Sequence, residues 1–232
     1  MGRAMHSYEM LADGDRILIG VSGGVDSLVL CWTLKHWLAK APIDCQLLAV
    51  HLDMGFEGNE YLEVEKQVSA IPLAYYMEKT TFGSDAFKKS EQESGCYSCS
   101  KQRRNRLFSL AAEKNCNKVA LGHHKDDIIE TFFINMFYGG NLSTMIPNQK
   151  LFNGNLAIIR PLAYLTKEQV YEIAALANLT PVKNPCPMAD DSKRQEVRTM
   201  LTDLFEKHPE FRSTIFASLA NVRPDYLLSS NS

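Results

Sequence analysis

Apolar residues fall along this chain in short runs separated by longer, mixed stretches. The runs at 16–21, 46–53, 73–78, 119–121 and 156–159 are too brief for helices and nearly continuous in apolar character. They read as strands covered on both faces. Residues 28–40, 58–68, 101–115 and 126–137 lie between them and carry helical spacing. In 101–115 the apolar positions are 107, 108, 110, 111 and 112. Gly122 ends the fourth strand, Pro161 ends the fifth, and Gly139-Gly140 closes the helix at 126–137. Strands alternating with helices predict an α/β fold with a doubly wound parallel five-stranded sheet. From Thr166 the strand signals stop. Thr166 and Gln169 fit a capping box, and helices follow at 167–177, 195–207 and 212–220. The predicted division is residues 1–165 as an α/β core and 166–232 as a C-terminal helical extension, with a frayed end at 229–232.

Ligands of such sheets bind beyond the C-terminal ends of the strands. Three segments with chemical character fall there. The first is Ser22-Gly23-Gly24-Val25-Asp26-Ser27, a strand-to-helix turn. Its glycines let backbone approach a ligand, and the helix start offers N–H groups and a positive dipole end that suit a phosphate. Ser22 and Ser27 add hydroxyls, and Asp26 can hold magnesium. The spacing is neither that of the Walker loop nor of Gly-x-Gly-x-x-Gly. It resembles the pyrophosphate loop of the N-type ATP pyrophosphatases, which cleave ATP to AMP and pyrophosphate. The second segment is the end of the second strand, with His51 and Asp53. The third is Gly122-His123-His124-Lys125-Asp126-Asp127, with Glu130 one turn further along the helix. Asp126 and Asp127 are good helix caps; they also suit magnesium held against ATP phosphates. Zinc is disfavoured, because a well-spaced third nitrogen or sulfur ligand is lacking.

Bulk properties narrow the class. A chain of 232 residues with 45% hydrophobic content can bury one sizeable core. No apolar run is long enough to cross a bilayer, and the N-terminus does not read as a signal peptide. A cytoplasmic protein is expected, so the six cysteines are not a disulfide framework. Cys31, Cys45 and Cys116 sit in or beside apolar stretches and read as packing residues. Cys96-Tyr97-Ser98-Cys99 and the loop cysteine Cys186 remain, and they suit a cluster, a metal or thiol–disulfide exchange. The net charge of −2 excludes a global basic field, so any RNA site is a local patch.

Several stretches together resemble the tRNA 2-thiocytidine synthetases. They are Ala41-Pro42-Ile43, Cys96-x-x-Cys99-x-x-x-Arg103-Arg104, Leu121-Gly122-His123-His124-Lys125-Asp126-Asp127 and Asn135-Met136-Phe137-Tyr138-Gly139-Gly140. Ile159-Arg160-Pro161-Leu162-Ala163-Tyr164, Cys186, Arg194-Gln195 and Asn221-Val222 continue the match. The cysteine pair, Asn135–Gly140 and Cys186 separate this family from the lysidine synthetases, which adenylate the same cytidine carbon and add lysine. The resemblance implies ATP and Mg2+ as cofactors, together with a [4Fe-4S] cluster on Cys96, Cys99 and Cys186. It implies ATP contacts from Ser22, Gly23, Gly24, Asp26, Ser27, His51, Asp53, Gly122, His123, Asp126 and Asp127. Magnesium falls to Asp26 and Asp127, and catalytic roles to Asp26, Asp127 and Glu130. The implied substrate is cytidine 32 of tRNA, adenylated at its C2 oxygen and then thiolated. RNA contacts are placed on Lys101, Arg103, Arg104, Arg106 and Arg160, helped by Lys88 and Lys89. A sulfide donor such as a cysteine desulfurase is the implied partner; a homodimer is left open. The family usually has lysine where this chain has Val25, and often a further cysteine after the position of Cys186.

Overall fold

A computed structural model describes residues 1–58, 60–88, 95–187 and 193–228; within it the side chain of Cys96 is outside the described set, as are Lys89 and 229–232. The helices are α1 (Gly2–Ser7), α2 (Val25–Leu38), α3 (Glu60–Ser69), α4 (Phe82–Lys88), α5 (Gly95–Glu113), α6 (Lys125–Gly139), α7 (Lys167–Leu176), α8 (Lys193–Lys207) and α9 (Pro209–Ser218). The strands are β1 (Arg16–Val21), β2 (Gln46–Asp53), β3 (Ala74–Lys79), β4 (Lys118–Ala120), β5 (Asn148–Leu151) and β6 (Leu156–Ile159).

The chain separates into two compact units. The first comprises Met1–His124 and Ile146–Asp191, and the second Lys125–Met145 and Ser192–Ser232. The first unit holds a six-stranded sheet in the order β3-β2-β1-β4-β6-β5. All neighbours are parallel except β5, which runs antiparallel to β6 with Asn148 opposite Ile159. The expected five strands are therefore six. β5 escapes sequence reading because Asn148-Gln149-Lys150-Leu151 lies at the sheet edge, where no apolar alternation is needed. β1 is central. Ile17 and Ile19 pack on one face with α2 and α7, while Leu18 packs on the other with Leu107, Leu110 and Ala111 of α5.

The expected boundary at residue 165 is also corrected. Val170 and Ala174 of α7 are buried in the sheet core, and Thr166 closes the predicted capping box with Gln169. The helix at 125–139 belongs instead to the second unit. There Ile129 packs with Val197, Leu201 and Phe205 of α8. Periodicity locates helices but is silent on which partner their apolar stripes meet. α5 starts at Gly95 rather than 101, so the cysteine pair forms the first turn of a helix and not a loop. Glycine and serine at 95, 98 and 100 mask that turn, since both residues are common in loops.

Val170 tests the placement of α7. Replacing it with alanine removes two buried methyl groups and should cost about 2 kcal/mol in urea unfolding. A loss below about 0.5 kcal/mol, the scale of an ordinary surface change, would place α7 outside the core.

Candidate active site

The turn after β1 is built by hydrogen bonds among its own residues. The Ser27 hydroxyl, on a buried side chain, donates to the Gly24 carbonyl at 2.9 Å and accepts from the Ser22 N–H at 3.2 Å. Ser27 thus staples the turn, while Ser22 lies on its exposed side. Gly23 has φ +87°, and a Cβ there would meet Val64 at 2.6 Å. Its carbonyl accepts the Val182 N–H at 2.9 Å. Gly24 is the N-cap of α2, and Asp26 stands in the first helical turn. A 14-residue helix start presented by a glycine turn is an anion cradle in both backbone geometry and dipole.

Two neighbouring strand ends frame this turn. His51 pairs in register with Val21, and its Nδ1 donates to the Val21 carbonyl at 2.9 Å. Burial holds its pKa below the usual histidine value, so the ring is neutral near pH 7 with Nε2 as an acceptor. Asp53 shapes the turn after β2. Its carboxylate accepts the Gly55 N–H, and its carbonyl accepts both the N–H and the hydroxyl of Thr80. On the other side Gly122 meets the turn directly: a Cβ at Gly122 would lie 2.9 Å from both the carbonyl carbon and oxygen of Asp26. His123 is partly exposed. The buried His124, to which the sequence alone assigns no role, places Nε2 3.7 Å from Asp26 Oδ1.

In the second unit the three acidic residues expected at the site lie along the first turns of α6, each facing an arginine. Arg212 of α9 reaches Asp126 at 3.0 Å. Arg194 of α8 stands 3.6 Å from Asp127 and 3.3 Å from Glu130. Arg198 grips both oxygens of the buried Glu130, at 2.7 and 3.0 Å. Glu130 is accordingly a structural clamp on α8. Arg194 and Arg198 are unremarkable in the sequence taken singly; their four-residue spacing on one helix face is the signal that pairs them.

Burial sorts the cysteines. It raises the Cys31 thiol to about 12, and it raises Cys45 and Cys116 as well, with the Asp15 charge adding to the effect at Cys45. Thiols kept protonated in this way are poor metal ligands. Cys99 and Cys186 are partly exposed and lie in the first unit. The Cys186 N–H bonds Asn184 Oδ1 at 3.1 Å, and Cys186 follows four residues after the Val182 contact with Gly23. Among the described residues no three histidine, cysteine or acidic side chains form a metal cluster, and the Cys96 side chain is outside that set. Two accessible thiols plus Cys96 three positions before Cys99 suit a sulfur-ligated cluster.

A family model described as a PP-loop domain matches residues 3–205. The tRNA-cytidine(32) 2-sulfurtransferase of Pelobacter propionicus is 37% identical over 98% of this chain and 86% of its own. The enzyme of the same name from Geotalea daltonii is 36% identical over 98% and 92%. This chain belongs to the PP-loop family of the tRNA-cytidine(32) 2-sulfurtransferases. The U34-tRNA thiolase of Methanococcus maripaludis, solved with its [4Fe-4S] cluster, shares the fold. Its TM-score is 0.77 at 22% identity, covering 97% of this chain and 78% of that one.

Val25, which stands in the turn of this 2-sulfurtransferase-family chain, has a packing role in the structure. It is buried in the core cluster with Val29 and Val64. The cationic residues expected to meet RNA divide sharply. Lys101, Arg103 and Arg104 are exposed on α5 beyond Cys99, and Lys88 is exposed at the end of α4. Arg106 is already held by two carboxylates. It binds both oxygens of Glu78 at 2.6 and 2.7 Å, and Glu113 at 2.6 Å. Arg160 is corrected as well. It is 5% exposed, donates to the Ile146 carbonyl, and burial lowers its pKa to about 10. A guanidinium enclosed in this way cannot meet a phosphate backbone.

Two outcomes test this geometry. Gly122→Ala forces a methyl against Asp26 backbone, which cannot yield as a flexible side chain does. Pyrophosphate release should fall roughly ten- to hundredfold, as expected when a site is displaced by about 1 Å, while circular dichroism stays near native. In cluster-free protein at pH 8, iodoacetamide should modify Cys99 and Cys186 and spare Cys31. A thiol with a pKa near 12 is ionised to about one part in ten thousand at that pH. Peptide mass spectrometry reads the pattern, and rapid native labelling of Cys31 would contradict it.

Proposed function

We propose that this chain is an ATP-dependent tRNA sulfurtransferase that adenylates the C2 oxygen of cytidine 32 and replaces that oxygen with sulfur. The observation that carries the reading is the near-full-length identity to enzymes named for that reaction. The phosphate-binding turn supports the ATP half. The backbone at 22–24 and the start of α2 would bind the phosphates, with magnesium on Asp26. Neutral His51 and the Asp53 turn lie at the adjacent strand end, where the nucleoside part of ATP would rest.

The cytidine O2 attacks the α-phosphorus of ATP and pyrophosphate departs. Sulfide then bonds to C2 and the C2–O bond breaks, so AMP leaves carrying the original oxygen. The fixed N–H groups of the turn favour the charge developing on the leaving phosphates, commonly a large catalytic effect. A [4Fe-4S] cluster on Cys96, Cys99 and Cys186 would supply an iron position for sulfide. The source of that sulfide is a donor such as a cysteine desulfurase. No described helix is long and apolar enough to cross a membrane, and a cytoplasmic setting fits a tRNA substrate.

Nucleoside mass spectrometry of tRNA incubated with ATP, sulfide and cluster-loaded protein tests the reading. It should show 2-thiocytidine at position 32; thiolation elsewhere, or lysine addition, would overturn it. For RNA binding, Arg103→Glu with Arg104→Glu should weaken tRNA affinity severalfold. The same change should flatten the salt dependence by about 0.7 for each phosphate of a single-stranded region that is no longer neutralised. Cluster content is measured alongside, because the patch follows Cys99 directly. Unchanged affinity and slope with an intact cluster would remove α5 from the RNA interface.

A further inference from the structure

Residues 179–186 follow α7 without regular secondary structure, yet they are fastened along their length. The Leu179 N–H bonds the Ala174 carbonyl at 2.9 Å and closes the helix. The Thr180 N–H donates to the side-chain oxygen of Gln67 on α3 at 3.1 Å. The Val182 N–H donates to the Gly23 carbonyl at 2.9 Å. Leu179 and Val182 pack against the sheet core, while Thr180, Pro181 and Lys183 are exposed. The segment is a surface strap, and it lies in the first unit together with α3 and the turn after β1. Proline stiffens it: Pro181, Pro185 and Pro187 each fix one φ and restrict the residue before them. Cys186 stands between two of these prolines, with its N–H held by Asn184 Oδ1. Little of a shift at Val182 can be absorbed before Cys186.

The peptide that Val182 grips is the one between Gly23 and Gly24. Planarity points its C=O and its N–H in opposite directions. With the carbonyl turned to the strap, the Gly24 N–H is turned away from it, to the Ser22 hydroxyl at a long 3.4 Å. Glycine on both sides lets such a peptide rotate with little steric resistance. The Val182 bond opposes that rotation, and the packing of Gly23 against Val64 and Val182 adds to it. Hydrogen bonds in a chain polarise one another, so a peptide whose N–H meets an anion accepts more strongly at its carbonyl. An anion on the Gly24 N–H and the Val182 bond at Gly23 therefore strengthen each other.

We propose that the strap at 179–186 orients the Gly23–Gly24 peptide for an ATP phosphate and so couples nucleotide binding to the placement of the Cys186 thiol. Gln67 is a positioning residue, acting through Thr180. The proposal rests on the reading that the turn after β1 binds ATP phosphates. Coupling of this kind is reciprocal. Nucleotide holds Cys186 in place, and the fastened strap tightens nucleotide.

The test uses the full-length chain with Mg2+ and the α,β-methylene analogue of ATP, which resists cleavage between the α and β phosphates. Calorimetry on cluster-loaded protein gives nucleotide affinity. Iodoacetamide labelling of cluster-free protein, read by peptide mass spectrometry, gives the rate at Cys186 with Cys99 as the reference thiol. Saturating nucleotide should slow wild-type Cys186 labelling by about fivefold relative to Cys99, the low end of usual coupling between sites. Val182→Pro removes the N–H, and Gln67→Leu removes the acceptor for Thr180. Each should weaken nucleotide binding by about two- to tenfold, the range for one hydrogen bond. Each should also lose most of the protection at Cys186, even at saturation. Gln67→Glu keeps an acceptor oxygen and should restore both affinity and protection. Thermal melting checks folding, and Gln67→Leu carries the test if Val182→Pro does not fold. If wild-type protein binds nucleotide but Cys186 labelling ignores it, the coupling is overturned and the ATP reading stands. Protection that persists at saturation in either folded variant is direct shielding by the nucleotide and overturns the coupling as well. If wild-type protein binds no nucleotide, the ATP reading falls, and the coupling falls with it.

Discussion

Close packing of backbone around one short turn dictates where the rest of the first unit can go. Gly23 touches Val64 and Val182, and Gly122 abuts the main chain of Asp26. A side chain at Gly122 would press on main chain, and one at Gly23 would meet the Val64 side chain in a left-handed backbone conformation. The order of the strands follows from this constraint. β1 must be central so that β2 delivers His51 on one side and β4 delivers Gly122 on the other. Parallel pairing then lets α2 and α7 pack on one face of the sheet and α5 on the other, so both faces of β1 are covered. The apolar character of Ile17, Leu18 and Ile19 is the sequence-level expression of that double coverage.

Much of this arrangement was legible in the residues. The runs of Val, Ile and Leu identified β1, β2, β4 and β6 because buried parallel strands have few alternatives. The glycine–serine turn was legible because its chemistry is local. What escaped lay where local pattern and tertiary role part company. β5 is polar because an edge strand needs only backbone partners. Arg106 and Arg160 looked like surface cations in the sequence, and only the fold shows one held between Glu78 and Glu113 and the other enclosed. Asp126, Asp127 and Glu130 read as metal-type carboxylates because their arginines lie more than sixty residues later. Separation along the chain hides ion pairs in a way that separation along a helix does not.

The second unit rests on a different principle from the first. A few apolar contacts join α6, α8 and α9, and guanidinium–carboxylate pairs supply directional matching at one end of α6. Acidic residues at a helix N-terminus are favoured by its dipole, and each partner arginine comes from one of the other two helices. Removing one member of such a set is costly chiefly because it strands the others in a partly dehydrated setting. The helices of this unit are thereby fixed in register as well as in proximity.

The bond from the Val182 N–H to the Gly23 carbonyl joins two peptide groups. No exchange of side chains deletes it, except proline at 182. The segment that ends in Cys186 is therefore moored to the turn after β1 by the polymer itself. Sequence drift can rewrite every side chain from 182 to 186 apart from the thiol and leave that mooring in place. The spacing between the Cys186 thiol and the glycine turn becomes a property of chain length, fixed by four residues of main chain.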